Sequence, residues 1–196
     1  MRVGSSSSSP RVRPGDQVVA MASSGLHSNG YSLVRHVLLS DAGAGWSLER
    51  EVPELGRTLG EELLEPTRIY AKACLALARA TRTHAMSHIT GGGLAANLAR
   101  VLPEEVTVRL DRSTWTPPPV FRLVQQAGGV PLPDLERTLN MGVGMVAVVD
   151  GDDVNRVLAT LEEHEVAAWV CGEVGLAAAT GAEPGSVTLE GVHPDW

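Results

Sequence analysis

Two stretches carry residue types suited to chemistry, a histidine in a loop of small polar residues and three consecutive glycines ahead of a helix. His27 lies in Ser23-Ser24-Gly25-Leu26-His27-Ser28-Asn29-Gly30, directly after the apolar run Gln17 to Ala22, which reads as a buried strand. Loops at strand ends are where sites tend to sit. A histidine there can act as general acid or base, or donate a hydrogen bond to substrate, with Ser28 and Asn29 beside it. A surface histidine without a role is the plainer alternative. The second stretch, residues 85 to 102, ends an apolar run in Ser87-His88-Ile89-Thr90, continues with Gly91-Gly92-Gly93, and then places Leu94, Leu98 and Val101 at helical spacing. Glycines admit positive φ and close approach of a ligand to the main chain. The free N–H groups and dipole of a helix start favour an anion, most plausibly a phosphate. A tight connection with no ligand is the other reading of the same residues.

Other chemistries lack their patterns. His84 and His88 are four apart on a strand, about 13 Å from each other, too far to share a metal. There is no HExxH, EF-hand loop or Cys/His cluster, so no metal site is expected on this chain. A GxxxxGK[ST] phosphate loop and a GxSxG nucleophile elbow are also missing. Gly142-Val143-Gly144 lacks the third glycine of a dinucleotide fingerprint and leads into a strand. Arg68, after Pro66-Thr67, can pair with phosphate or carboxylate, or simply be a solvated first-turn arginine.

The chain as a whole narrows the class. Its 196 residues are enough for one well-packed domain, with 43% hydrophobic and 20% charged residues. Sixteen Lys and Arg against 23 Asp and Glu give a net charge of −7, and aromatics are few. An acidic chain without a basic block is a poor nucleic-acid binder. No apolar run is long enough to span a membrane and no signal peptide is evident, so a cytoplasmic protein is expected. Cys74 and Cys171, about a hundred residues apart and without CxxC spacing, read as free buried thiols, with a single disulfide as the alternative.

The positioning elements follow in order. Residues 1–13, with five consecutive serines, read as a disordered or linker segment, residues 14–180 as the domain, and residues 181–196 as a C-terminal extension with one weak strand, Ser186 to Leu189. Helices are expected over Tyr31 to Leu39, Arg57 to Leu64, and Arg68 to Ala80 with Thr67 as N-cap. Further helices are expected through Val120 to Val124, ending at Gly128-Gly129, over Leu132 to Leu139, and from Val154 with Asp152 or Asp153 as cap. Strands are expected at Val106 to Leu110, Met145 to Val149 and Val166 to Val174. Their irregular interleaving indicates an α/β domain of the α+β type, a layered fold with a mixed sheet packed by helices.

Taken together, SSGLHSNGYSLVRHVL (23–38), EPTRIYAK (65–72), SHITGGGLAANLARVLP (87–103), WTPPPVF (115–121) and RTLNMGVGM (137–145) resemble the C-terminal domain of phosphoribosylformylglycinamidine cyclo-ligase, the aminoimidazole ribonucleotide synthetase of purine biosynthesis. The resemblance implies an ATP-dependent closure of the imidazole ring of formylglycinamidine ribonucleotide, giving aminoimidazole ribonucleotide, ADP and phosphate, with magnesium accompanying the ATP. It implies His27 as the catalytic residue, and Ser28, Asn29, His88, Thr90, Gly91, Gly92 and Gly93 as substrate-binding, the glycines cradling a phosphate. The family's N-terminal half, which carries the ATP-binding segment, the acidic metal ligands and the homodimer barrel, has no counterpart in these 196 residues. The expectation is therefore a fragment that folds but does not catalyse alone. A non-catalytic phosphate-binding or assembly module, and a small-molecule kinase of the same superfamily, are the alternatives.

Overall fold

The computed structural model describes residues 12–196. The chain runs β1 (Gln17–Ala22), α1 (Tyr31–Leu38), β2 (Glu51–Val52), β3 (Arg57–Thr58), α2 (Leu59–Leu63) and α3 (Ala71–Ala80). It continues with β4 (Thr83–His88), α4 (Gly93–Ala99), β5 (Val106–Asp111), α5 (Pro119–Gly128), α6 (Leu132–Thr138) and β6 (Val143–Val149). Last come α7 (Val154–Glu163), β7 (Ala168–Leu176), α8 (Ala177–Thr180) and β8 (Val187–Glu190). Six strands form one sheet in the order β4-β6-β1-β7-β5-β8. Its neighbours are antiparallel except for the parallel pair β5 and β8, so the sheet is mixed, as expected.

The central strand shows why the sheet forms. Val18, Val19, Ala20 and Met21 are all fully buried, because helices cover both faces and a strand so placed carries an unbroken apolar run. Val18 and Ala20 pack with Ile89, Leu94 and Leu98 on the α4 side. Val19 and Met21 pack with Leu77, Val157 and Leu161 of α3 and α7 on the other. A third apolar cluster joins Val34, Leu38, Leu59, Phe121, Val124 and Leu135 of α1, α2, α5 and α6 beyond the sheet.

Several boundaries differ from the sequence reading for local reasons. Arg57 and Thr58 pair with Val52 and Glu51 instead of starting a helix. Thr58 then caps α2, its hydroxyl accepting from Glu61 N while the Glu61 carboxylate accepts from Thr58 N. The helix expected from Arg68 begins only at Ala71, after Tyr70, and Thr67 is not its cap. Asp153 stands at the start of α7 without capping it, because its carboxylate accepts from Arg82 N instead. In β4 the register slips between Thr83 and Ala85, which leaves His84 as an extra residue against Asp16.

The ends of the domain reach further than expected. Residues 1–11 of the expected linker lie outside the described residues. Val12 and Arg13 belong to the fold, Val12 packing in the core and Arg13 pairing with Asp150 at 2.5 Å. Residues 181–196 supply β8 to the sheet and bury His193. Among the described residues no helix is long and apolar enough to cross a membrane, and both cysteines are free.

Candidate functional site

Strand direction decides which loops can meet. β1 and β4 both run antiparallel to the intervening β6, so they are parallel to each other. The loop after β1, with His27, and the loop after β4, with the glycines, therefore leave the same edge of the sheet. Asn29 closes the gap by donating from Nδ2 to the Ile89 carbonyl at 3.3 Å. The segment before α3 completes the group. Ser24 Oγ donates to the Pro66 carbonyl at 2.6 Å, and Ser28 and Thr67 share a hydroxyl bond of 3.2 Å. Thr67 is thus engaged by the His27 loop, three residues ahead of Tyr70 at the start of α3.

His27 is buried in a left-handed conformation with φ 57°, a region that histidine enters more readily than most residues. Its Nε2 accepts from Ser24 N at 3.1 Å. In the neutral ring the proton then resides on Nδ1, a buried atom without a protein partner. Burial, then the positive charges of His88 and Arg68, push the His27 pKa below its usual value. The arrangement suits a neutral hydrogen-bond donor better than a general base, since the basic nitrogen is already occupied.

Two residues that the sequence reading passed over hold this loop. Asn140 is fully buried between α6 and β6. It donates to the carbonyls of Gly25 and Leu26 at 2.9 and 3.1 Å, and its Oδ1 accepts from Gly142 N at 2.8 Å and Ser23 Oγ at 3.3 Å. Gly144 lies in β6 where a Cβ would come within 2.0 Å of Tyr70 Oη and 2.6 Å of His27 Cε1. The Gly-Val-Gly that fails as a nucleotide fingerprint was therefore still a signal, since glycine inside a strand marks close approach of other groups. Tyr70 Oη uses the space to donate to the Ala22 carbonyl at 2.7 Å.

The glycine turn is built from inside by one amide. Asn97 Nδ2 in α4 faces the carbonyls of Thr90, Gly91 and Gly93 at 3.1, 3.3 and 2.7 Å, and its Oδ1 accepts from Thr90 Oγ1 and Arg100 Nη1. Gly92 and Gly93 have φ of 102° and 72°. Gly93 is buried, and a Cβ there would stand 1.7 Å from the Glu136 carbonyl oxygen. Its glycine is required for contact with α6, which leaves exposed Gly91 and half-buried Gly92 as the accessible part of the turn. His88 is exposed and Thr90 half-buried at its border. Beside it lies a cavity of about 240 Å³ lined by Gly92, Leu94, Trp115, Glu136, Met141 and Leu189. Burial would raise the Glu136 carboxyl, but the paired hydrogen bonds and charge of Arg112 outweigh it and hold the group down at about 2. Among the described residues no three His, Cys, Asp or Glu side chains converge as a metal site would need.

Residues 13–180, which contain the His27 loop, the segment before α3 and the glycine turn, match the family described as AIR synthase related protein, C-terminal domain. The chain belongs to that family. A Streptomyces fradiae protein provisionally named phosphoribosylformylglycinamidine cyclo-ligase is 61% identical over 180 residues, 92% of this chain and 98% of the relative. The phosphoribosylformylglycinamidine cyclo-ligases of Symbiobacterium thermophilum and Shouchella clausii are 46% and 47% identical, over 89% and 83% of this chain. These matches take in 48% and 47% of the two enzymes. This AIR synthase related domain thus spans about half the length of those two relatives. Its fold is shared with thiamine-monophosphate kinase from Stenotrophomonas maltophilia, at a TM-score of 0.57 and 18% identity, over 94% of this chain and 53% of the kinase. The hydrogenase maturation protein HypE of E. coli is similar too, at 0.55 and 18%, over 93% of this chain and 48% of HypE. At such identities the likeness speaks for the fold alone.

Proposed function

We propose that this domain is the C-terminal half of a cytoplasmic, homodimeric cyclo-ligase that closes the imidazole ring of formylglycinamidine ribonucleotide at the expense of ATP. The observation that supports this most is the convergence of the His27 loop and the glycine turn on one sheet edge, in a chain 61% identical to a relative named for that activity. The reaction joins the amidine nitrogen to the formyl carbon, and the formyl oxygen leaves as phosphate, with ADP as the other product. Among the described residues no three His, Cys, Asp or Glu side chains converge to hold a metal; we assign ATP and magnesium to the half of the longer relatives that this chain does not match, and no step on this chain runs through them. This chain's part is to hold the ribonucleotide. Gly91 and Gly92 offer main chain to its phosphate, with Gly93, Thr90 and His88 shaping the border. Ser28 and Asn29 fix the loop from which His27 Nδ1–H faces the reacting amide. A donor preset toward developing charge is worth roughly 10²-fold or more in rate.

The test pairs this chain with the N-terminal half of the Symbiobacterium relative and supplies Mg-ATP and formylglycinamidine ribonucleotide. Aminoimidazole ribonucleotide should form in the pair and not with this chain alone. His27→Ala should lower turnover by about 10²-fold and leave ATP affinity unchanged. Absence of product from a folded pair, or collapse of ATP binding with turnover intact, would overturn the reading.

A further inference from the structure

Two buried nitrogen donors at this edge lack a protein partner, His27 Nδ1 and Arg68 Nε. A buried polar atom left unpaired is costly, so native folds seldom keep one without a use, and here two belong to segments that hydrogen bonds tie together. The Ser24 to Pro66 and Ser28 to Thr67 bonds bind the His27 loop to the residues just before Arg68. Arg68 itself is braced by Nη1, which donates to the Glu165 carbonyl at 3.2 Å. That bond fixes the guanidinium while leaving Nε free. The Asn29 bond to Ile89 brings the same loop beside His88.

Charge balance points the same way. The nearby carboxylates of Glu62 and Glu65 are both held by Arg57, each at 2.6 Å. Neither has an ion pair with Arg68, and no ion pair is formed by Arg68 or His88 among the described residues. A fixed guanidinium edge and an imidazole N–H, in a place without a committed counter-charge, match the oxygens of a tetrahedral anion.

We propose that His27, Arg68 and His88 form an anion subsite that accepts a phosphate-sized oxyanion through His27 Nδ1–H and Arg68 Nε–H, with His88 at its rim. The subsite is separate from the glycine turn and rests on the reading of this edge as the substrate site. It gives Arg68 a binding role and makes His27 a donor to an anionic oxygen. The lowered pKa of His27 agrees, because a neutral ring keeps its Nδ1 proton for the ligand while Arg68 supplies the charge.

Inorganic phosphate is the probe. In the ¹⁵N-labelled chain, the imidazole signal of His27 and the Nε–H signal of Arg68 should shift together and saturate with one dissociation constant, while the exposed His36 ring stays put. Arg68→Met should weaken phosphate binding at least about tenfold, equivalent to about 1.4 kcal/mol, and Arg68→Lys should restore only part of it. Failure of both wild-type signals to move, or their movement in parallel with His36, would overturn the subsite. So would a folded Arg68→Met chain that binds phosphate as tightly as wild type. Because ring closure is not the readout, phosphate binding by a chain that proves inactive in the paired assay would refute the cyclo-ligase reading and leave the subsite standing.

Discussion

Replacing Asn140 with leucine should loosen the loop that presents His27 while leaving the sheet intact. The side chains are similar in volume, so the substitution mainly removes hydrogen bonds. Four contacts vanish. Gly25 O keeps Ser23 Oγ at 2.8 Å, but the Leu26 carbonyl and the Gly142 amide lose their side-chain partner in a fully buried setting. Two orphaned groups cost about 1–3 kcal/mol each, and burying leucine returns up to about 2 kcal/mol. A net loss of about 3 kcal/mol follows, or a Tm lower by about 6–12 °C for a domain of this size. Urea and thermal unfolding measure it, and the ring signals of His27 report whether the loop moves. A loss below about 1 kcal/mol, or a large loss with His27 undisturbed, would refute the assignment of Asn140 as the loop's anchor. Asn140→Asp sharpens the test, since one carboxylate oxygen would face two carbonyls. Its folded pKa must rise above the unfolded value of about 3.9. The ionisation penalty is then absent below the unfolded value and grows as pH rises through the folded one. Asn140→Asp should accordingly approach wild-type stability on acidification, and a penalty independent of pH would contradict the geometry.

Gly93→Ala should destabilise by about 3 kcal/mol or more, because its Cβ would strike the Glu136 carbonyl at 1.7 Å in a left-handed backbone. Gly91→Ala, which meets nothing within 4 Å, should stay within about 0.5 kcal/mol, and equal Tm values for the two variants would rule out this division of the turn. His27, with its pKa lowered by burial, should titrate below the ordinary histidine value of about 6.5 in NMR. The unfolded chain takes up that proton first, so stability falls as pH drops from the ordinary value through the lowered one. His27→Gln should remove this slope, and parallel stability curves for the two proteins would show that His27 contributes none of it.

Local order in the sequence determined much of this protein. Gln17–Ala22 reads as a strand because its apolar run is too short for a buried helix and suits a strand covered on both faces, and α5 stops before Gly129 because the chain there takes φ 59°. The motif residues His27, Ser28, Asn29 and Gly91 to Gly93 are also contiguous, so their grouping could be read from spacing and family resemblance. Tertiary structure decided which of them meet, and how. That β1 and β4 share a direction follows from β6 lying between them, a pairing made about sixty residues later in the chain than β4. Thr67 turned from a cap into a partner for Ser28, and Arg57-Thr58 from helix into strand, because distant partners outweighed weak local preference. Asn140 and the unpartnered Nε of Arg68 have no local signature, since their roles depend on residues far away in sequence. A chain written in one dimension records periodicity and turn chemistry. It does not record which buried donor will lack an acceptor, because that depends on the packing of every element around it.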